Sequence, residues 1–411
     1  MAVVPLLVWP GLARPFSDPK LAAVALGAVL CLVLPLPSSP RGARELPTRL
    51  IAVAALWIGS FLVAGLTARV PDLLSLLLGL AAPTLALAVL RTGAPPATVI
   101  RAQVVGATVC AAVAVAQWVG WDPFAVVGWH APVDGASVRM RVYGTLGNPN
   151  FVGALMAMSV PLTMAVHALS ASSVVRRVAE VAGVLQAAAL VGTGSRGAVL
   201  GLGAAMAAWA LVRWSRRMRL ALAALLVFGG IAIGLSPARP LDTTAAGRLH
   251  LWRIVAPHAL DAPLTGLGPG AVALQFPGWQ RSAARQGVRD RRFAGLTDHV
   301  HNDYLEAVVE RGVPGLLSCV LPLGLLVWLL ARVPRPAAPM VAGCCGALAA
   351  GAACAFVDFP LARPAELVWW WMAIAILMLE AKGLLICAAD ARRPSPRAAD
   401  RLRLPRGRTR A

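Results

Sequence analysis

Runs of about 20 apolar residues, separated by short polar segments, recur along nearly the whole chain. They fall at 20–36, 50–68, 72–90, 98–120, 149–169, 178–194, 197–212, 219–235, 305–331, 338–357 and 365–388. A helix rises about 1.5 Å per residue and the hydrocarbon core of a bilayer is about 30 Å thick, so each run predicts a spanning helix. The eleven runs predict an all-α, polytopic integral membrane protein. The stretch 2–13 is apolar but short. It reads equally as an interfacial segment or as part of a twelfth span. One polar segment, 236–304, breaks the rhythm and is far longer than a simple connection. The pattern divides the chain into an N-terminal bundle over 1–235, a long loop with short helices over 236–304, C-terminal spans over 305–388, and a tail over 389–411.

Composition narrows the class. Hydrophobic residues make up 58% and charged residues 14%, where soluble domains carry about 25% charged. A soluble enzyme and a secreted disulfide scaffold are excluded. All seven cysteines lie in apolar runs with no CxxC spacing, as packing residues do. The start is not a signal peptide, because it lacks a basic opening and is broken by Pro5, Pro10, Pro15 and Pro19.

The formal charge of +20 is of the sign that suits nucleic acid, but its distribution reads as topology. One side of the predicted membrane collects Arg41, Arg44, Arg49, Arg91, Arg101, Arg176, Arg177, Arg213, Arg216, Arg217, Arg219, Arg332, Arg335, Lys382 and the arginines of the tail. Short loops on the other side hold only Arg69, Arg139, Arg141, Arg196 and Arg363. Cytoplasmic loops are the basic ones, so the tail is expected inside and 236–304 outside. The Arg- and Pro-rich tail is expected to be disordered and drawn to anionic lipid rather than to nucleic acid.

Candidate chemistry gathers on the outer side. Thr193-Gly194-Ser195-Arg196-Gly197 is a tight junction between two spans, and Arg196 reads either as an interfacial arginine or as an anion-binding one. Gly247-Arg248-Leu249-His250-Leu251-Trp252-Arg253 reads as a short helix. Arg248 and Trp252 share a face there, whereas Arg253 lies about 140° away. The segment Ala262-Pro263-Leu264-Thr265-Gly266-Leu267-Gly268-Pro269-Gly270 reads as a structural loop, since no strand precedes it and no Lys-Ser/Thr follows. His299 and His301 precede a span in Asp298-His299-Val300-His301-Asn302-Asp303-Tyr304-Leu305-Glu306. His301 is placed to take a proton near neutral pH. A metal reading of His299-x-His301 fits no common ligand spacing. The chain has no Ser–His–Asp pattern with a nucleophile elbow, no Walker motif and no Asp-x-Asp pair.

Read in order, these pieces resemble the O-antigen ligase/polymerase superfamily of bacterial membrane glycosyltransferases. The resemblance rests on Gly144-Thr145-Leu146-Gly147-Asn148-Pro149-Asn150, Gly194-Ser195-Arg196-Gly197, the Arg248 helix, Gly266-Leu267-Gly268-Pro269-Gly270, His301-Asn302-Asp303-Tyr304-Leu305 and Glu310-Arg311-Gly312-Val313-Pro314-Gly315. It implies a GT-C-like fold in the inner membrane and a multi-pass chain with a periplasmic active site. It also implies transfer from an undecaprenyl-pyrophosphate-linked glycan to a hydroxyl acceptor, either lipid A-core or a growing polysaccharide, with no cofactor and no metal. Carried over by motif, Arg196 and Arg248 would bind pyrophosphate and His301 would deprotonate the acceptor. Arg253, Asn302, Asp303, Tyr304, Glu306, Arg139 and Arg141 would bind substrate, with Asp303, Tyr304 and Glu306 also placed to tune His301. A protein-glycosylating relative is the less favoured variant, since no appended periplasmic domain follows the last span. The competing class is a transporter or flippase for a small anion or lipid-linked sugar. It is disfavoured by the near absence of mid-span charge and of internal repeats.

Overall fold

A computed structural model describes residues 1–33, 46–128, 142–215, 217–218, 243–288, 290–332 and 338–391. Among them the regular elements are all helical. They are α1 (Asp18–Val33), α2 (Thr48–Thr67), α3 (Leu73–Arg91), α4 (Pro96–Trp118), α5 (Pro149–Leu169), α6 (Ser173–Thr193) and α7 (Arg196–Arg213). After these come α8 (Thr243–Val255), α9 (Ala271–Arg285), α10 (Asp303–Arg332), α11 (Pro339–Val357) and α12 (Pro364–Ala391), with short 3-10 turns between some of them. Every predicted apolar run coincides with a long helix except 219–235, which lies outside the described residues together with Arg139, Arg141 and the tail 392–411. Six of the helices, α2, α3, α4, α5, α10 and α11, are long and apolar enough to cross a membrane. The fold is that of an all-α polytopic membrane protein.

The helix starts follow local chemistry. Asp72, Asn148, Ser172 and Ser195 cap α3, α5, α6 and α7, each accepting a backbone N–H of the first turn that has no intrahelical partner. Helix α5 lies at the centre, against α4, α6, α7 and α11. Small residues set the spacing: a Cβ on Gly346 would stand 2.6 Å from Pro161, and one on Gly201 would stand 2.6 Å from Cys354 Sγ. Helix α12 carries three consecutive buried tryptophans, of which Trp371 meets Trp57 of α2 edge to face at 5.6 Å.

The stretch 2–13 is neither a span nor a long interfacial helix. It holds a 3-10 turn at Val4–Leu6 and packs on α4, where Ala2 O would sit 2.3 Å from a Cβ on Gly106. The buried Lys20 ammonium ties this segment down, donating to Leu7 O at 2.6 Å, Phe16 O at 2.6 Å and Thr145 O at 2.8 Å. Its bond to Thr145, with those from Tyr143 N and Gly144 N to Gln117 Oε1, shapes the 142–148 turn that launches α5.

Helix α10 is broken at Gly312, whose φ of 66° and ψ of −167° interrupt the helix. A break inside a span exposes backbone groups that lipid cannot satisfy. The segment 263–268 supplies the partners. Leu267 N donates to Val309 O at 2.9 Å, Gly268 N to Glu310 O at 2.9 Å, and Val313 N to Pro263 O at 2.7 Å. The glycine-rich loop is therefore a structural plug for the kinked helix. Just before the break, the buried Arg311 guanidinium lies over Trp57 at 4.7 Å and Phe61 at 4.2 Å and donates to Ser60 Oγ and Ser318 Oγ. The span over 305–331 thus carries charge, all of it in its first third and all of it partnered.

Candidate functional site

The residues before α10 are held from both sides. Trp252 of α8 donates its indole N–H to Val300 O at 3.0 Å, and Val300 N donates to Glu306 Oε2 at 2.8 Å. Asn302 Oδ1 accepts from Tyr304 N and Leu305 N and so caps the helix. Between these anchors His301 takes a φ of 54°, the only positive φ at a non-glycine residue among those described. A side chain held in the left-handed region costs about 1 kcal/mol or more and marks functional constraint.

The constraint aims His301 at Asp358, the residue that ends α11. His301 Nδ1 lies 3.3 Å from Asp358 Oδ1, and the other carboxylate oxygen faces Arg363 Nη1 at 3.4 Å. Burial would raise the Asp358 pKa, but Arg363 and His301 outweigh it and hold the carboxyl below its ordinary value. Arg363 stands 3.0 Å from Glu366 Oε1, an ion pair by distance although its N–H is not aligned as a hydrogen bond. Its guanidinium lies 3.8 Å over Phe151 at the start of α5. The His301 ring meets Phe359 edge to face at 5.0 Å.

The elements that carry the two motif arginines both pack at the end of α11: Trp252 of α8 meets Phe356 edge to face at 5.9 Å, and Gly197 lies against Val357. Arg248 of α8 is half-buried. Burial lowers its pKa, and the field of Asp358 opposes that shift. Arg248 is therefore within electrostatic reach of the carboxylate that holds His301. Arg196 begins α7 and is exposed, next to Gly197, whose Cβ would stand 3.0 Å from Val357 beside Asp358. Cys354 Sγ reaches Gly197 O at 3.5 Å. The α6–α7 junction is thereby packed on the end of α11.

The remaining candidates divide. Asp303 Oδ2 accepts from Leu361 N at 2.9 Å, Tyr304 OH donates to Ala352 O at 3.0 Å, and Glu306 binds His299 and Val300. With Asn302 they form the frame that fixes His301. Arg253 projects elsewhere, into a cavity of about 460 Å³ with His250, Asp290, Arg292 and Phe293. Its helical phase, different from that of Arg248, is the cause. Arg139 and Arg141 lie outside the described residues.

His299 and His301 turn to different partners. His299 stacks on Phe359 at 4.1 Å with its Nδ1 2.7 Å from Glu306 Oε1. Burial works against its charge, but Glu306, with Glu310 and Asp303, outweighs burial and raises it to about 9. The ordinary imidazole value is about 6.5, so this pair's contribution to stability is complete below about pH 6.5 and is lost as pH rises through about 9. Melting temperature in detergent is expected to fall between about pH 6.5 and pH 9 in the wild type and to level off above that. The same step in Glu306→Gln would show that the pair is not its source.

Asp358 and Arg363 were not among the residues singled out from sequence. Their signal was a charged interruption, Asp358-Phe359-Pro360-Leu361-Ala362-Arg363, between two apolar runs on the side where the motifs gather. Residues 181–320, which hold Arg196, α8 and His301, match a family model described as O-antigen ligase. No curated protein matches the chain.

Proposed function

We propose, from the O-antigen ligase family segment that this multi-pass membrane protein carries, that it transfers glycan from a polyprenyl-pyrophosphate carrier to a hydroxyl of lipid A-core or of a growing polysaccharide. The reaction takes place on the periplasmic face of the inner membrane, at the end of the bundle that bears 243–302. The observation that carries the reading is the left-handed His301, held on Asp358 at the end of α11, against which α8 packs through Trp252 and Phe356. His301 Nδ1–H donates to Asp358, which leaves Nε2 to accept the proton of the acceptor hydroxyl. The acceptor oxygen forms its bond to the anomeric carbon while the bond from that carbon to the pyrophosphate oxygen breaks. Arg248 and Arg196 stabilise the negative charge that develops on the departing pyrophosphate. Arg363 keeps Asp358 ionised, so the imidazolium formed in the step has a counter-charge.

The test is transfer by purified, reconstituted protein with a polyprenyl-pyrophosphate glycan donor, with EDTA present. Wild type is expected to keep its rate, and Arg248→Ala and Arg196→Ala to lose roughly 10²- to 10³-fold in kcat. A rate that collapses in EDTA, or arginine variants as active as wild type, would sink the mechanism. No transfer to either acceptor would move a transporter for lipid-linked sugar to the front.

A further inference from the structure

A cavity of about 290 Å³ lies beside the His301–Asp358 pair and shares none of its reacting atoms. Phe151 and Phe359 give it aromatic surface, and the Phe359 ring is the same one that His301 meets at 5.0 Å. Carboxylates dominate the polar wall: Asp18, Asp72 and Asp298, with Glu306 and Glu310 deeper. Against them stand Arg14, Arg363 and His299, whose imidazole is charged at neutral pH, three cations to five carboxylates. Arg363 is 5% exposed, and its Nη2 has no hydrogen-bond acceptor in the protein. A buried guanidinium N–H left unmet is costly, so a lining donor of this kind marks a place for an acceptor oxygen brought by a ligand.

We infer that this cavity is a subsite for one pyranose ring of the glycan acceptor, a neutral or amino sugar rather than a uronic acid. The inference rests on the glycosyl-transfer reading and names the chemistry of its second substrate. A pyranose has an apolar C–H face suited to Phe151 and Phe359. Its hydroxyls donate to carboxylates, and its oxygens accept from the unmet N–H of Arg363. The excess of carboxylates favours a protonated amine and repels a sugar carboxylate. A ring seated there is one side chain, Phe359, away from His301. The adjoining residue of the same acceptor carries its hydroxyl to His301 Nε2.

The experiment measures binding without turnover. Saturation-transfer NMR on the full-length protein in detergent would use methyl α-glucoside, methyl α-glucosaminide and methyl α-glucuronide. The glucoside and the glucosaminide are expected to bind, with the glucuronide at least about fivefold weaker. Ala273 of α9 lines the cavity outside the reacting groups. Ala273→Phe fills the space and is expected to weaken both ligands about tenfold and to raise acceptor KM alike, with donor KM unchanged. Asp298→Asn, an exposed change, weakens the glucosaminide more than the glucoside. No saturation transfer to the wild type, or equal binding in Ala273→Phe, overturns the subsite. A wild type that transfers glycan yet binds no glycoside sinks the subsite alone, whereas one that binds glycosides but transfers nothing sinks the transferase reading.

Discussion

His301→Ala is expected to lower transfer by roughly 10²- to 10⁴-fold, the range that a positioned general base supplies. The imidazole is oriented by Asp358 at 3.3 Å, and its backbone is held in the left-handed region by the Val300 and Asn302 anchors. Two further variants separate chemistry from strain. Glycine adopts that φ without penalty, so His301→Gly is expected to be as stable as wild type, or more stable by about 1 kcal/mol, and still inactive. Asp358→Asn keeps the shape but removes the negative charge that holds the Nδ1 proton and pairs with Arg363, and a loss of order 10²-fold in kcat is expected. Steady-state kinetics on protein with an unchanged melting curve decide the matter. Asp358→Asn within threefold of wild type would show that His301 works without it.

Gly266→Ala is expected to be among the most damaging substitutions for the fold, about 4 kcal/mol or more, the scale reserved for backbone clashes and lost buried pairing. A Cβ there would stand 2.2 Å from Glu310 C and O, and the residue has a φ of 72°. Relieving the overlap pulls the loop out of the α10 break. The Val309 and Glu310 carbonyls then lose the N–H groups of Leu267 and Gly268. Inside a span neither carbonyl has water to turn to. Because α10 begins at the residues that hold His301, activity falls with stability. Thermal unfolding by size-exclusion chromatography in detergent reads the effect, and a melting temperature within about 2 °C of wild type would rule out the plug as a support of the helix.

What was legible from sequence can be traced residue by residue. Arg196, Arg248 and His301 stand out in the sequence because each is a polar group in a motif beside long apolar runs, although Arg196 on spacing alone fits an interfacial arginine equally well. The separation of Arg248 from Arg253 was legible too, since helical phase is a local property. Asn302, a substrate contact by resemblance, caps α10, and a cap is recognised only once the helix start is placed. Glu306 was expected near substrate, and the structure gives its carboxylate to His299 and Val300.

By itself the sequence determined the all-helical, multi-pass class and where the long apolar helices fall. Each of these is a sum over neighbours along the chain: about 20 apolar residues in a row suffice for a spanning helix. Only the tertiary structure decided that Asp358 orients His301, that Arg363 stands behind it, and that the glycine-rich loop repairs a broken helix. His301 and Asp358 are 57 residues apart in sequence and 3.3 Å apart in space. A contact at that range depends on how α8, α10 and α11 pack, and the apolar faces that bring those helices together carry no record of which charges will meet at their ends.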